Sequence, residues 1–264
     1  MRTLISLAAI ASAVLIPLST MSAPAQAAAP QQYVALGDSY ASGVGAYPYD
    51  DATCLRSPRS YPRTWAAAHP SYTLTDRTCS GATIADVRNT QLSALNATTA
   101  LVTIQVGGND DGFRSTVENC LTGSDSLCSV SSQLGSHYAT HDLVDNLAAL
   151  YADVQARAPH AAIAVLGYPR LVTATGSCGL VNPSAAKRTA LNSNADAMAQ
   201  GVKAAADRRG LYFIDVRSLF QGHEACGTAP WINGVDLAHQ TEIFHPTAAG
   251  HKAYADILTI ATDW

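Results

Sequence analysis

Short apolar runs of strand length alternate along this chain with longer stretches whose apolar residues recur at helical spacing. Tyr33 to Leu36 is the first run, stopped by Gly37, and Tyr72 to Thr75, Ala100 to Val106, Ala161 to Gly167 and Leu211 to Val216 follow. The run at Ala100 to Val106 is the clearest strand, because β-branched residues fill it and Gly107-Gly108 halts it. Helices are predicted between the runs. One covers Ser60 to Ala68 and ends before His69-Pro70; another covers Ala82 to Leu95, with Ile84, Val87, Leu92 and Leu95 at roughly helical spacing. Leu143 to Ala158 is stopped by Pro159, and Pro183 to Arg208 has Asn182 as a plausible N-cap. Thr247 to Thr259 closes the chain as a helix behind Pro246. Ala41 to Arg59, Phe113 to Tyr138 and Tyr168 to Val181 carry the cysteines and many Ser, Thr and Gly, and read as surface loops.

Five apolar strands alternating with helices imply one α/β domain: a mostly parallel five-stranded sheet with helices on both faces, a flavodoxin-like three-layer α/β/α arrangement. Such sheets carry their sites at the carboxyl ends of the strands. No internal repeat and no linker divides the chain.

The first residues depart from this pattern. Arg2 precedes an almost wholly apolar stretch, Leu4 to Leu18, and Ala25-Gln26-Ala27 has the small-x-small form that signal peptidase reads. The stretch is interrupted by Pro17 and falls short of the roughly 20 residues of a spanning helix, so residues 1–27 are expected to be a cleaved signal peptide and 28–264 the mature domain. Of 16 basic residues only Arg2 is lost, which leaves 15 against 20 acidic, a balance of −5. The bases are scattered, with no run to track a phosphate backbone, and nucleic acid is not expected as a partner. Stable membrane anchoring is not expected either, and nothing demands more than a monomer.

Six cysteines in an exported chain read as three disulfides. Of the fifteen possible pairings, the sequential one is expected: Cys54–Cys79, Cys120–Cys128 and Cys178–Cys226, each closing a segment between core elements and none crossing another. No pair has the C-x-x-C spacing of a zinc site, and the His223-Glu224-Ala225-Cys226 cluster lacks a matching half, so no metal is expected.

Candidate chemistry lies at the strand ends. Gly37-Asp38-Ser39-Tyr40 follows the first strand, where a serine either caps a helix or is exposed as a nucleophile beside free backbone N–H groups. Alone the triplet says little. Cys79-Ser80-Gly81-Ala82 then ends the second strand region, Gly107-Gly108-Asn109-Asp110 the third, and Glu242-Ile243-Phe244-His245-Pro246 sets a histidine just before the last helix. In that order, Ser39, Gly81, Asn109 and His245, the chain resembles the SGNH hydrolases, also called GDSL lipases and esterases, over essentially its whole mature length. It looks most similar to the secreted bacterial lipases of that family with three disulfides.

The resemblance implies an ester hydrolase without cofactor. Ser39 would be the nucleophile and His245 its general base, and the N–H groups of Ser39 and Gly81 with the side-chain amide of Asn109 would form an oxyanion hole. Many family members carry Asp three residues before the histidine. Here Glu242 stands there, and either its carboxylate or the main-chain carbonyl of Ile243 would orient the imidazole, the carbonyl being slightly favoured. Asp38 and Asp110 read as braces of their loops rather than a glycosidase pair. His251 is expected at the helix surface or in local packing, while His223 and His239 are candidates for the cleft wall. Tyr40, Val44, Phe113 and Tyr168 supply apolar surface for an acyl chain. The substrate expected is therefore a lipid or similar acyl ester. A deacetylase of small or carbohydrate esters, or a binding protein that kept the fold without the chemistry, are the competing readings.

Overall fold

The computed structural model describes residues 29–178 and 181–262, so the expected export segment lies outside the described residues. Five strands, β1 (Gln31–Gly37), β2 (Tyr72–Asp76), β3 (Thr99–Gln105), β4 (Ala162–Leu166) and β5 (Tyr212–Ile214), form one wholly parallel sheet in the order β2-β1-β3-β4-β5. The chain runs outward one way from β1 to β2 and the other way from β3 to β5. A crevice therefore opens at the carboxyl ends of β1 and β3, the switch point of a doubly wound sheet. Both central strands are buried on both faces: Tyr33, Val34, Leu36, Val102 and Ile104 are inaccessible to solvent. Continuous apolar runs, rather than alternating ones, are what that position demands.

Helix α2 (Tyr61–Ala68) packs on α8 (Ala248–Thr262), while α6 (Asp142–Arg157) and α7 (Ala185–Arg208) pack on each other to make the second helical layer. Trp65, Tyr254, Leu147, Leu150 and Val202 fill the two interfaces. The sheet, its parallel sense and its two helical layers agree with the sequence reading.

Three local expectations are corrected. Phe113 to Tyr138 is not a loop: it folds as α4 (Phe113–Thr122) and α5 (Asp125–Thr140), joined by a short turn that Cys120–Cys128 spans. The hydroxyl of Ser124 accepts the N–H of Leu127 and caps α5. The helix predicted over Ala82 to Leu95 is broken into one turn, α3 (Ile84–Asp86), a π turn (Val87–Gln91) and a 3₁₀ turn (Leu92–Ala94). There the side-chain amide of Gln91 turns inward, donating to the carbonyl of Gly37 (2.9 Å) and accepting its N–H (2.8 Å). The N-cap of α7 is Ser184, not Asn182. Asn182 instead accepts from the N–H of Cys178 and the guanidinium of Arg188 through its side-chain oxygen, which holds the preceding loop to the helix. His251, expected at the helix surface or in local packing, takes the second place: it is wholly buried in α8, its ring stacked over Tyr61 and Nε2 lying 3.5 Å from the carbonyl of Val44.

The disulfides join Cys54 to Cys79, Cys120 to Cys128 and Cys178 to Cys226. The first ties the loop after β1 to the loop after β2, and the third ties the segment after β4 to the one after β5. Both stitch together loops at the carboxyl rim. No helix among the described residues is long and apolar enough to cross a membrane.

Candidate active site

β1 ends at Gly37, whose φ of +144° and approach to β3 leave no room for a side chain: a Cβ there would stand 2.2 Å from the carbonyl oxygen of Gln105. That closeness lets the next N–H, of Asp38, donate to the same carbonyl (3.0 Å) and fixes where the chain leaves the sheet. A single helical turn, α1 (Ser39–Ser42), begins at once. Asp38 caps it, one carboxylate oxygen accepting the N–H of Tyr40 (2.9 Å) and the other accepting the hydroxyl of Tyr168 (2.6 Å). Burial pushes the Asp38 carboxyl up to about 7, against the pull of those two donors. Ser39 stands at the first helical position, where its N–H has no carbonyl of the preceding turn to bond.

The histidine arrives from the opposite end of the chain. Phe244 sits in the left-handed region at φ +58°, a conformation that costs roughly 1–3 kcal/mol for a residue with a side chain. Three bonds hold it there: its N–H donates to the carbonyl of Asn233 (3.1 Å), its carbonyl accepts the hydroxyl of Tyr40 (2.5 Å), and the Asn233 N–H donates to the carbonyl of His245 (2.8 Å). Gly45 lets the loop after α1 close on this turn, since a Cβ would lie 2.5 Å from the carbonyl oxygen of Pro246. The reversal at Phe244 folds the His245 ring back so that Nδ1 lies 3.1 Å from the carbonyl oxygen of Ile243. Nε2 then faces Ser39 Oγ at 2.8 Å. With Nδ1–H donating to a carbonyl, Nε2 carries the lone pair and accepts the serine proton. Desolvation is the main influence on the ring and lowers its pKa to about 4, with the Ile243 carbonyl opposing it. Tyr40 and Phe113 flank the imidazole at ring separations of 5.2 and 5.9 Å.

Glu242 does not reach that ring. Its carboxylate accepts the hydroxyl of Tyr49 (2.7 Å), which in turn accepts the N–H of Gly45 (3.0 Å), so the glutamate holds the loop after α1. The reason is local: Glu242 ends a 3₁₀ turn (Gln240–Glu242), and the chain reverses only after it, at Phe244.

Of the remaining named residues, Asn109 borders the same cleft as Ser39. Gly81 is exposed at the end of the second loop, and a Cβ on it would meet nothing within 4 Å, so its backbone borders open space. Asn109 spends one N–H of its amide on the carbonyl of Ala82 (3.0 Å), which ties the third loop to the second and leaves a second N–H on the same nitrogen. Asp110 accepts the N–H of Ile84 through both oxygens (3.3 and 3.1 Å), bracing α3 rather than its own turn. A cleft open to solvent runs from Ser39 and Asn109 between Tyr40, Phe113, Tyr168, Leu171 and Met198. Val44 is buried elsewhere, and of the other candidate histidines His223 stacks on Trp231 and His239 pairs with Asp236. Sequence reasoning missed Gln91 and Asn233 and read Tyr168 only as apolar cleft surface, and no local signal marks the bonds they make. Each acts on a partner at least 12 residues away.

A parallel sheet with a serine hydroxyl facing an imidazole at its switch point is the class of arrangement that the fold and the site define. The comparisons with known proteins supply the particulars. Residues 35–253 match the GDSL-like lipase/acylhydrolase family, and the chain belongs to that family. It is 42% identical over 97% of its length, and 98% of the relative's, to a lipase of Streptomyces rimosus. Among solved structures, the extracellular lipase of S. rimosus superimposes with a TM-score of 0.84 at 41% identity, covering 88% of this chain and 100% of that one. Phospholipase A1 of Streptomyces albidoflavus does so with the same TM-score at 37% identity, covering 88% and 99%. The chain is an ester hydrolase.

Proposed function

We propose that the protein is an exported lipase that cleaves acyl esters of lipids through a Ser39 acyl-enzyme, with residues 1–27 removed on export. The observation that carries the reading is the contact of 2.8 Å between Ser39 Oγ and His245 Nε2, together with Ile243 behind Nδ1. Ser39 attacks the ester carbonyl carbon while Nε2 takes its proton. The oxygen that becomes negative is held by the N–H groups of Ser39 and Gly81 and by the free N–H of the Asn109 amide, donors fixed before the reaction starts. The imidazolium returns its proton to the departing alcohol as the tetrahedral intermediate collapses. Water then repeats the sequence on the acyl-enzyme and frees the acid and the serine. Among the described residues no carboxylate bonds either nitrogen of the imidazolium. Its charge is matched by the Ile243 carbonyl dipole and by the oxyanion that forms in the same step.

Lipids are favoured as substrate by the apolar walls of the cleft and by relatives named lipase and phospholipase A1. Export is supported by the three disulfides and by the form of the first 27 residues. A fluorophosphonate probe should label Ser39 in the folded mature protein, and Ser39→Ala should lose both label and turnover of nitrophenyl acyl esters. Turnover near wild type in that variant would remove the assignment. A profile peaking at acetate would move the substrate away from lipids.

A further inference from the structure

Ser39 and Tyr40 are neighbours on α1, and Phe244 and His245 are neighbours on the turn that carries the imidazole. The two pairs meet at two points. Ser39 Oγ faces His245 Nε2 at 2.8 Å, and the Tyr40 hydroxyl donates to the carbonyl of Phe244 at 2.5 Å. Among the described residues, the only other bond of the imidazole is that of Nδ1 to the carbonyl of Ile243, which belongs to the same turn and moves with it. The ring therefore faces Ser39 only as long as the turn is held in place, and Phe244 strains that turn with its φ of +58°.

Among the described residues, two side chains bond the backbone of Ile243 to His245 from outside. One is Tyr40. The other is Asn233, whose amide donates to the carbonyls of Gly45 (3.0 Å) and His245 (3.1 Å). Tyr40 is itself well fixed: it is 3% exposed, its ring meets those of Tyr168 and Phe113 edge to face, and its N–H is bound by Asp38 (2.9 Å). Burial raises its phenol, which keeps the proton and donates. From these contacts we infer that Tyr40 and Asn233 are positioning residues for the base. They hold the turn, and with it the His245 ring, at reaction distance from Ser39, the part that a carboxylate on Nδ1 plays in a Ser-His-Asp triad. This rests on the reading of Ser39 as nucleophile and His245 as base. Neither side chain bonds a reacting atom, and both act through the backbone. Without the Tyr40 hydroxyl the Phe244 carbonyl loses its side-chain donor and the turn relaxes, and a shift of about 1 Å in a reacting group can cost about 10² in rate.

The test is turnover of nitrophenyl butyrate by Tyr40→Phe, Asn233→Ala, His245→Ala and each of the first two combined with the third, with folding followed by near-UV circular dichroism. Tyr40→Phe keeps the aromatic wall of the cleft and deletes only the hydroxyl. Its kcat should fall about 10²-fold with KM within about twofold of wild type. Asn233→Ala should lose about tenfold in the same way. In both, the acid limb of kcat/KM should move up from near 4 towards the ordinary histidine value of 6.5, since a ring that leaves its site regains water. Placed on His245→Ala, either change should cost no more than about twofold, as groups that act as a unit do. A tyrosine or asparagine that merely supported the fold would leave the limb unmoved and lower both backgrounds alike. If one variant does not fold, the other decides by the same readouts. Wild-type kcat, an unmoved limb or equal losses in both backgrounds, in folded protein, would overturn the inference. Turnover near wild type in His245→Ala defeats the base assignment itself, whereas a large loss there beside an unchanged Tyr40→Phe defeats only the positioning role.

Discussion

A histidine acts as a base only while neutral, and the burial of His245 keeps it neutral far into the acid range. Its pKa of about 4 lies below the ordinary 6.5, because desolvation outweighs the stabilising carbonyl of Ile243. The acid limb of kcat/KM, which reports the free enzyme, should therefore fall near pH 4, with activity lost as pH drops through that value. Measured with a nitrophenyl ester, a limb at the ordinary histidine value would mean that the ring is solvated in solution. The same arrangement fixes what Glu242 does. Its carboxylate takes the Tyr49 hydroxyl and stays off the imidazole, so Glu242→Ala should loosen the loop after α1 and reduce kcat only a few-fold. A fall of about 10⁴, as when a working triad carboxylate is replaced, would put the glutamate on Nδ1 during turnover.

Elements were legible in the sequence where their cause is local. The first and third strand runs stop at Gly37 and Gly107, with Ser39 and Asn109 just beyond them, whereas Ser39, Gly81, Asn109 and His245 are singled out as a set only through the family resemblance that their order carries. Helices α4 and α5 were not legible, since Ser, Thr and Gly dilute their apolar faces and their packing comes from α7 and a disulfide. The π turn was hidden for a related reason. It exists to turn Gln91 onto Gly37, a contact across 54 residues that no window contains. Asp111 and Asn194, 83 residues apart, are in the same position. The disulfides act at this scale too, and they should not contribute equally. Cys178–Cys226 closes 48 residues and Cys120–Cys128 only 8. Chain entropy assigns about 4 kcal/mol to the first and about 2.5 to the second. Replacing the longer pair by serines should lower the urea midpoint more than replacing the shorter, and the reverse order would mean that native contacts across α4 and α5 depend on their bridge.

For the molecule as a whole, burial sets carboxyls and imidazoles against each other. Asp38 and Asp111 are pushed up to about 7, mainly by desolvation, and His245 and His251 are lowered to about 4 by the same cause. A carboxyl raised in the folded state favours folding fully below its unfolded value of 3.8, and that contribution is lost as pH rises towards 7. An imidazole lowered in the folded state favours folding fully above 6.5, and that contribution is lost as pH falls towards 4. Between these limits the unfolded chain binds two protons that the folded one does not, and releases two that the folded one keeps. The four groups then cancel, and their net effect on stability is flat across the window. Breaking the balance should reveal it. Asp111→Asn removes one carboxyl, so stability relative to wild type should rise with pH between 4 and 7, by up to about 1.4 kcal/mol per pH unit. His251→Gln removes one imidazole and should give the opposite slope. Urea unfolding of the three proteins at several pH values reads this directly, and parallel curves would mean that these groups titrate alike in the folded and unfolded chain.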